Sequence, residues 1–242
     1  MAKTNTQLKT MQRKTLTHLA GLSYFIVVLT GVFSLMFVPN ELINNVAPAI
    51  TLDNIRKNLF LFRLDIVANI LCYLAFMALP LLLYLVLKPV HKIMAQAMVL
   101  LALMSIPISL MSITHKLDIL DLLTDPVLSG LINETSLTTQ VFFHLKQFNN
   151  GINIVSIFWG SWLFPFGLLV YKSGFLPKSL GILLIAGSIG YMINLFGGIL
   201  LVTYYELGLS SYFPSPASIG EIGTCFWLLI LGDRKGFVTN QK

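Results

Sequence analysis

Charge is scarce in this sequence. Only 11% of its 242 residues are Asp, Glu, Lys or Arg, 56% are hydrophobic, and the mean hydropathy is +0.80. A soluble domain carries about 25% charged residues. One hydrophobic core in a chain of this length cannot absorb the apolar excess, whereas lipid can, and roughly 20 apolar residues cross a bilayer as a helix. Soluble enzyme folds are thereby excluded. Cysteine is scarce too: Cys72 and Cys225 are the only two, both lie inside apolar runs, and a free thiol there is a small hydrophobe more often than a nucleophile. The four histidines, His18, His91, His115 and His144, fall in no HExxH or HxxxH spacing, so no metal site is expected from them. GxSxG and Walker-type glycine patterns are absent, and no cofactor is implied. The net charge of +6 comes from 16 Lys and Arg scattered between apolar segments, which is not the clustered basic face that nucleic acid requires.

What the sequence does contain is a series of long uncharged runs, at residues 15–40, 66–87, 93–114, 147–171 and 179–205. Each exceeds the spanning length. A sixth run, Pro216 to Gly232, is apolar apart from Glu221, and Ser215 before Pro216 has the form of an N-cap with proline at the first helical position. These runs predict an all-α membrane protein, a six-helix transmembrane bundle forming one integral membrane domain over 1–242. The helices are expected at about 16–38, 60–87, 93–113, 148–171, 179–204 and 216–232. The apolar stretch at 16–38 is longer than a signal-peptide core and is expected to stay attached. Lys3, Lys9, Arg13, Lys14, Lys88, Lys92, Lys172, Lys178, Arg234, Lys235 and Lys242 then fall on one side, and the other has the cations Arg56, Lys57, Lys116 and Lys146 together with the acids Glu41, Asp53, Asp118, Asp121, Asp125, Glu134 and Glu206. The positive side is cytoplasmic, which puts both termini in the cytoplasm. The outer connection at 114–147 interleaves Leu, Ile and Val with Asp118, Asp121 and Asp125. It reads as short amphipathic helices between helices three and four, one starting at Thr124-Asp125-Pro126 and one at Ser136.

Polarity inside the spans marks the candidate site. Only eleven residues separate Glu221 from Asp233 at the cytoplasmic end, so at about 1.5 Å per residue it sits about 17 Å up, slightly beyond the midplane on the outer side. Arg63 and Asp65 lie at a comparable height at the outer end of helix two. Arg63 is the depth-matched cation for Glu221, and Asp65, on roughly the opposite face, needs a different partner or water. Polar and small residues then follow helical spacing: Asp65, Asn69 and Cys72; Ser105, Ser109 and Ser112; Asn149, Asn153, Ser156 and Gly160; Gly187, Tyr191, Asn194 and Gly198. One reading has these stripes converging on an outward-opening polar pocket, with Glu221, Arg63, Asp65, Asn69, Asn149, Asn153 and Asn194 as candidate ligand-binding residues. The other has them as interhelical glue. His144, taken with Glu221 and Asp65, would make an acid–base or metal grouping near the outer surface, and a lone interfacial histidine is the plainer reading.

The stretch Phe158-Trp159-Gly160-Ser161-Trp162-Leu163-Phe164-Pro165-Phe166-Gly167, continuing through Tyr171-Lys172-Ser173-Gly174-Phe175-Leu176-Pro177-Lys178 and Leu180-Gly181, is distinctive. It resembles a family of bacterial multi-pass membrane proteins classed as a domain of unknown function. The likeness extends to Leu19-Ala20-Gly21 with Tyr24, to Leu61-Phe62-Arg63 with Asp65, and to Pro216 with Ile219-Gly220-Glu221 and Trp227-Leu228-Leu229. The resemblance implies a bacterial cytoplasmic membrane location and assigns no reaction. In physical terms the motif is a tight hairpin: Gly174 ends helix four, Pro177 begins helix five, and Lys172 and Lys178 sit at the headgroups.

The leading functional expectation is a membrane protein, in contact with lipid, that binds a small ligand, lipid or ion in an outer-leaflet polar pocket as a transporter-like, sensor or accessory protein. The alternatives are a membrane-embedded enzyme, with Glu221 or Asp65 as acid or base and Arg63 stabilising negative charge, and a structural subunit of a membrane complex.

Overall fold

In lipid every backbone polar group needs an internal partner, which leaves helix as the regular element for a chain this apolar. The computed structural model is all-helical, with no strand among the described residues. It describes residues 2–201, 203, 204, 206, 208, 210 and 212–232, with side chains described for all of these except 2–12 and 129. The terminal residues Met1 and Lys242, together with Asp233, Arg234 and Lys235, lie outside the described residues, as do the side chains of Lys3 and Lys9.

Helix α1 (Ala2–Val32) runs through a π-turn (Phe33–Phe37) into α2 (Val38–Leu42). Next come α3 (Pro48–Lys57), α4 (Leu59–Leu87), α5 (Lys92–Thr124), α6 (Pro126–Leu131), α7 (Glu134–Lys172), α8 (Lys178–Leu200) and α9 (Ser215–Phe226), the last followed by a π-turn at Trp227–Leu231. Five helical segments are long and apolar enough to cross a membrane: Arg13–Leu42, Leu59–Leu87, Lys92–Thr124, Glu134–Lys172 and Lys178–Leu200. They give the chain the character of a multi-pass membrane protein. The sixth apolar segment, Ser215–Leu231, is shorter.

The largest departure from the sequence reading is at 114–147. Separate amphipathic helices were expected there, but α5 continues to Thr124 and α7 begins at Glu134, leaving only the six-residue α6 between them. Charges interrupt the apolar run without interrupting the helix, because Lys116, Asp118 and Asp121 are acceptable helix residues and no proline falls between Pro107 and Pro126. Asp125 caps α6 as expected, its carboxylate accepting from the N–H groups of Val127 (2.7 Å) and Leu128 (3.3 Å). Asn133 caps α7 by accepting from Ser136 N. Helix α3 was not anticipated. Its start is proline-primed at Pro48, and Asp53 and Lys57 pair along one face.

The fold divides into two compact units, and α1, α4, α5 and α7 each contribute one stretch to each of them. The first comprises Met1–Phe25, Ala75–Ser105 and Ser156–Lys242. In it, Gly174 takes a left-handed φ of 73° just after α7, Pro177 precedes α8, and the Trp227 indole donates to the Phe175 carbonyl at 3.0 Å, tying the hairpin to the end of α9. Helices α7 and α8 approach so closely that a Cβ on Gly167 would lie 2.8 Å from the Gly181 carbonyl oxygen, and one on Gly181 2.7 Å from that of Gly167. Helix α9 presents Ala217, Gly220 and Gly223 to Gly187, Leu184 and Leu180 of α8, a face of small residues of the kind that lets membrane helices pack without a hydrophobic driving force. Trp162 stacks on Phe166 at 5.0 Å and meets Phe76 edge-on at 5.3 Å, so it is a packing residue and not part of an interfacial belt.

The second unit comprises Ile26–Leu74 and Ile106–Val155. It holds the π-turn, α2 and α3, the start of α4, and the α5–α6–α7 turn. An Arg56–Glu134 pair with two hydrogen bonds, 2.5 and 2.9 Å, joins α3 to α7, and the carboxylate holds the guanidinium above its ordinary pKa.

Candidate functional site

The most deeply buried charges among the described residues belong to the second unit. Lys116 Nζ lies 2.5 Å from Asp65 Oδ2, and the two side chains are 3% and 2% exposed. Their meeting follows from helix arithmetic. Asp65 is 22 residues from Leu87 at the far end of α4, and Lys116 is 24 residues from Lys92 at the start of α5, which places them about 33 and 36 Å from the short turn joining these helices. That is the far edge of a hydrocarbon core about 30 Å thick. The rest of the shell satisfies the remaining lone pairs. Asn69 Nδ2 donates to Asp65 Oδ1 (3.1 Å) and to its carbonyl (2.9 Å), and Ser34 Oγ donates to the same carbonyl (3.4 Å). Lys116 Nζ also sits 4.0 Å from the centre of the Phe148 ring, a cation–π contact that helps to hold an ammonium away from water. A narrow cleft reaches the pair, lined otherwise by apolar side chains including Val38, Ile55, Phe62 and Leu145, with room for about one water molecule.

Lys116 is the residue that sequence reasoning missed. It was counted as an outer-loop cation, yet it continues the Ser105, Ser109, Ser112 stripe at the next helical interval. Had the helix been extended through Thr114, the stripe itself would have supplied the partner that Asp65 lacked.

Glu221 belongs to the first unit and its partner there is Tyr24, whose hydroxyl donates to Oε1 at 3.1 Å. The contact opens a seam between α1 and α9. One turn along, Cys225 Sγ donates to the Gly21 carbonyl at 3.8 Å, and one turn further His18 Nδ1 donates to the Leu229 carbonyl at 2.9 Å. Arg63, expected to pair with Glu221, is exposed and forms no ion pair with a described residue. The amide candidates divide. Asn69 is buried beside Asp65, Asn194 accepts from the Tyr204 hydroxyl at 2.9 Å, and Asn149 and Asn153 are exposed. The seam yields an expected result. Glu221→Gln keeps an acceptor for Tyr24 and should leave the melting temperature of the purified protein nearly unchanged, whereas Glu221→Leu strands the Tyr24 hydroxyl and should cost about 1–3 kcal/mol. Equal melting temperatures for Gln and Leu would remove the seam's polar anchor.

A third cluster lies at the end of the α5–α7 pair. Asp118 Oδ2 is 3.4 Å from His115 Nδ1 and 3.3 Å from His144 Nδ1, and the two imidazole rings are 5.7 Å apart. Their separation of 29 residues in sequence concealed this, and the continuous α5 and α7 bring them together. His144 belongs to the second unit with Asp65, and Glu221 to the first.

A family model described as "Domain of unknown function (DUF4386)" matches residues 19–232. The chain belongs to the DUF4386 family. An uncharacterized protein of Archaeoglobus fulgidus is 38% identical to this DUF4386 chain over 91 residues, which cover 36% of the chain and 50% of that protein. The chain thus spans about half the length of this curated relative. No solved structure matches. The match includes the α7–α8 hairpin motif, Asp65, Lys116, the histidine cluster and Glu221.

Proposed function

We propose that this DUF4386 chain is a six-span protein of the bacterial cytoplasmic membrane, with both termini cytoplasmic, that binds a small ion or polar ligand at the outward end of α4 and α5 as a transporter-like, sensor or accessory protein. The observation that carries the reading is the Asp65–Lys116 pair. Ionisable side chains within membrane helices are costly to bury, and where they persist they mark ligand or ion sites more often than stability devices. A cleft reaches this pair, and each member presents a charge that an incoming ion or zwitterion can take over from the other. Asp65 would hold a cation or ammonium group, Lys116 an anion or carboxylate, and Asn69 would orient the Asp65 carboxylate. The basic turns at Lys88–Lys92 and Lys172–Lys178 support the proposed orientation, and the apolar Ser215–Leu231 segment, about 25 Å long as helix, supports a sixth span.

The test is a thermal-shift panel on the detergent-solubilised protein: alkali and alkaline-earth cations, halides, small carboxylates and amino acids, run in parallel on native protein and on the double variant Asp65→Asn with Lys116→Met. At least one member of the panel should raise the melting temperature of the native protein and not of the double variant. If no compound distinguishes the two proteins, the pair is a structural contact and the reading fails.

A further inference from the structure

We infer that His115, Asp118 and His144 form a binding site for a divalent transition-metal ion, best matched by zinc, at the end of the α5–α7 helix pair. The inference stands apart from the Asp65–Lys116 reading and rests on three observations. First, one ligand atom from each of the three residues lies within 4.8 Å of the others, two nitrogens and a carboxylate oxygen, the donor set that zinc accepts in sites with three protein ligands and one open position. Second, two of the three edges fit. With metal–ligand bonds of about 2.0–2.1 Å, neighbouring donors in a tetrahedron are about 3.3–3.4 Å apart, and Asp118 Oδ2 is 3.4 Å from His115 Nδ1 and 3.3 Å from His144 Nδ1. An octahedral site at the same bond lengths would draw them to about 2.8–3.0 Å.

Third, neither contact is a hydrogen bond. The buried side-chain nitrogen and oxygen atoms without a hydrogen-bond partner among the described residues are His115 Nδ1, His144 Nδ1 and Gln147 Oε1. Buried polar atoms are nearly always satisfied, and here the unsatisfied ones gather within one short stretch of α7 and the facing turn of α5. Around a tetrahedral metal each nitrogen lone pair points at the ion, about 35° off the line to the neighbouring donor. An N–H in that direction misses the carboxylate, so a close but unaligned contact is what such a ligand set leaves. In the tautomer that carries its proton on Nε2, each Nδ1 turns a lone pair toward the carboxylate, and a cation is the group that reconciles such a set of donors. Gln147, one turn beyond His144 on α7, adds an acceptor that can hold a metal-bound water in place.

Position favours access. His115 is 23 residues from Lys92, and His144 is 28 residues from Lys172, so the cluster sits about 35–42 Å along helices that cross a core about 30 Å thick, at the level of the headgroups and water. The ion would cross-link α5 to α7 at about the level of the Asp65–Lys116 pair, since His115 and Asp118 flank Lys116 on α5.

The experiment uses the full chain purified on an affinity tag without histidine, stripped with chelator and titrated with cobalt(II). One equivalent should bind with the intense visible absorption of a tetrahedral centre, and zinc(II) should displace it. His115→Gln, Asp118→Asn and His144→Gln should each weaken binding by more than the roughly 10–100-fold that loss of an outer-shell partner gives, and His91→Gln should bind as the native protein does. The native titration alone decides the first point, so a variant that fails to fold leaves the test intact. Absence of a one-to-one tetrahedral spectrum in native protein overturns the inference, as does a spectrum that survives His115→Gln and His144→Gln together.

Discussion

Lys116→Met is expected to destabilise the protein by about 3–5 kcal/mol, the range for removing one partner of a buried ion pair. The ammonium it deletes is the cation bonded to Asp65, and both side chains are almost wholly out of solvent. Methionine fills most of the volume that the lysine stem occupies against Phe148, so the loss is electrostatic and not a cavity. A carboxylate stranded in this setting must either stay ionised without a counter-charge or take up a proton, and both cost free energy relative to the pair. The double variant Lys116→Met with Asp65→Asn removes the stranded charge and leaves a side chain that still accepts from Asn69. It should therefore recover most of the loss. Melting temperature and denaturant resistance in detergent, compared across the four proteins of this cycle, check the expectation. A Lys116→Met variant as stable as the native protein would show that the pair contributes nothing beyond packing.

The same residues show how far the sequence could be read. The sequence places Asp65 at the outer end of helix two, at about the height of Glu221, and its need for a partner other than Arg63 follows from helical phase. The partner was misplaced because a membrane helix was ended where its hydrophobicity ended. Hydrophobicity reports where lipid ends, whereas helix ends are set by caps and prolines, and at α5 the two boundaries differ by about ten residues. The histidine cluster was hidden for the same reason. With α5 and α7 cut short, His115 and His144 fall in a connection of separate short helices, and no spacing rule relates residues on helices whose mutual placement is unspecified. The hairpin of α7 and α8 was legible in detail, since Gly174, Pro177 and the flanking lysines are local signals that no tertiary contact overrides.

Glu221 illustrates a different limit. Its depth and rarity made it conspicuous, but depth cannot say which neighbour it faces. Tyr24 carries no charge and so was invisible to a search for a cation, although it lies in the first helix beside Gly21, whose backbone the π-turn after α9 approaches closely. The polar stripes also split between roles: Asn69 serves the ion pair, Asn194 and Gly187 serve local packing, and the exposed Asn149 serves neither.

Gly181→Leu should be the most damaging substitution in the hairpin, costing about 3 kcal/mol, the upper end of the usual overpacking range. A Cβ at this position would lie 2.7 Å from both the Gly167 carbonyl oxygen and the Tyr171 backbone nitrogen. Neither obstacle is the end of a flexible side chain, so α7 and α8 must separate to admit it. Separation then forfeits the reciprocal contact at Gly167, and it displaces the Phe175 carbonyl that accepts from the Trp227 indole, loosening α9 as well. Gly181→Ala meets the same two backbone atoms and should lie between native and Leu. Gly130 supplies the control: nothing lies within 4 Å of a Cβ there and its φ is not positive, so Gly130→Ala should change stability by less than about 0.5 kcal/mol. Melting temperatures that rank native and Gly130→Ala together, then Gly181→Ala, then Gly181→Leu, would bear out a hairpin closed by backbone contact. A Gly181→Leu protein that melts with the native one would mean that the helices stand far enough apart to hold a side chain, and the small residues of the motif would then need another explanation.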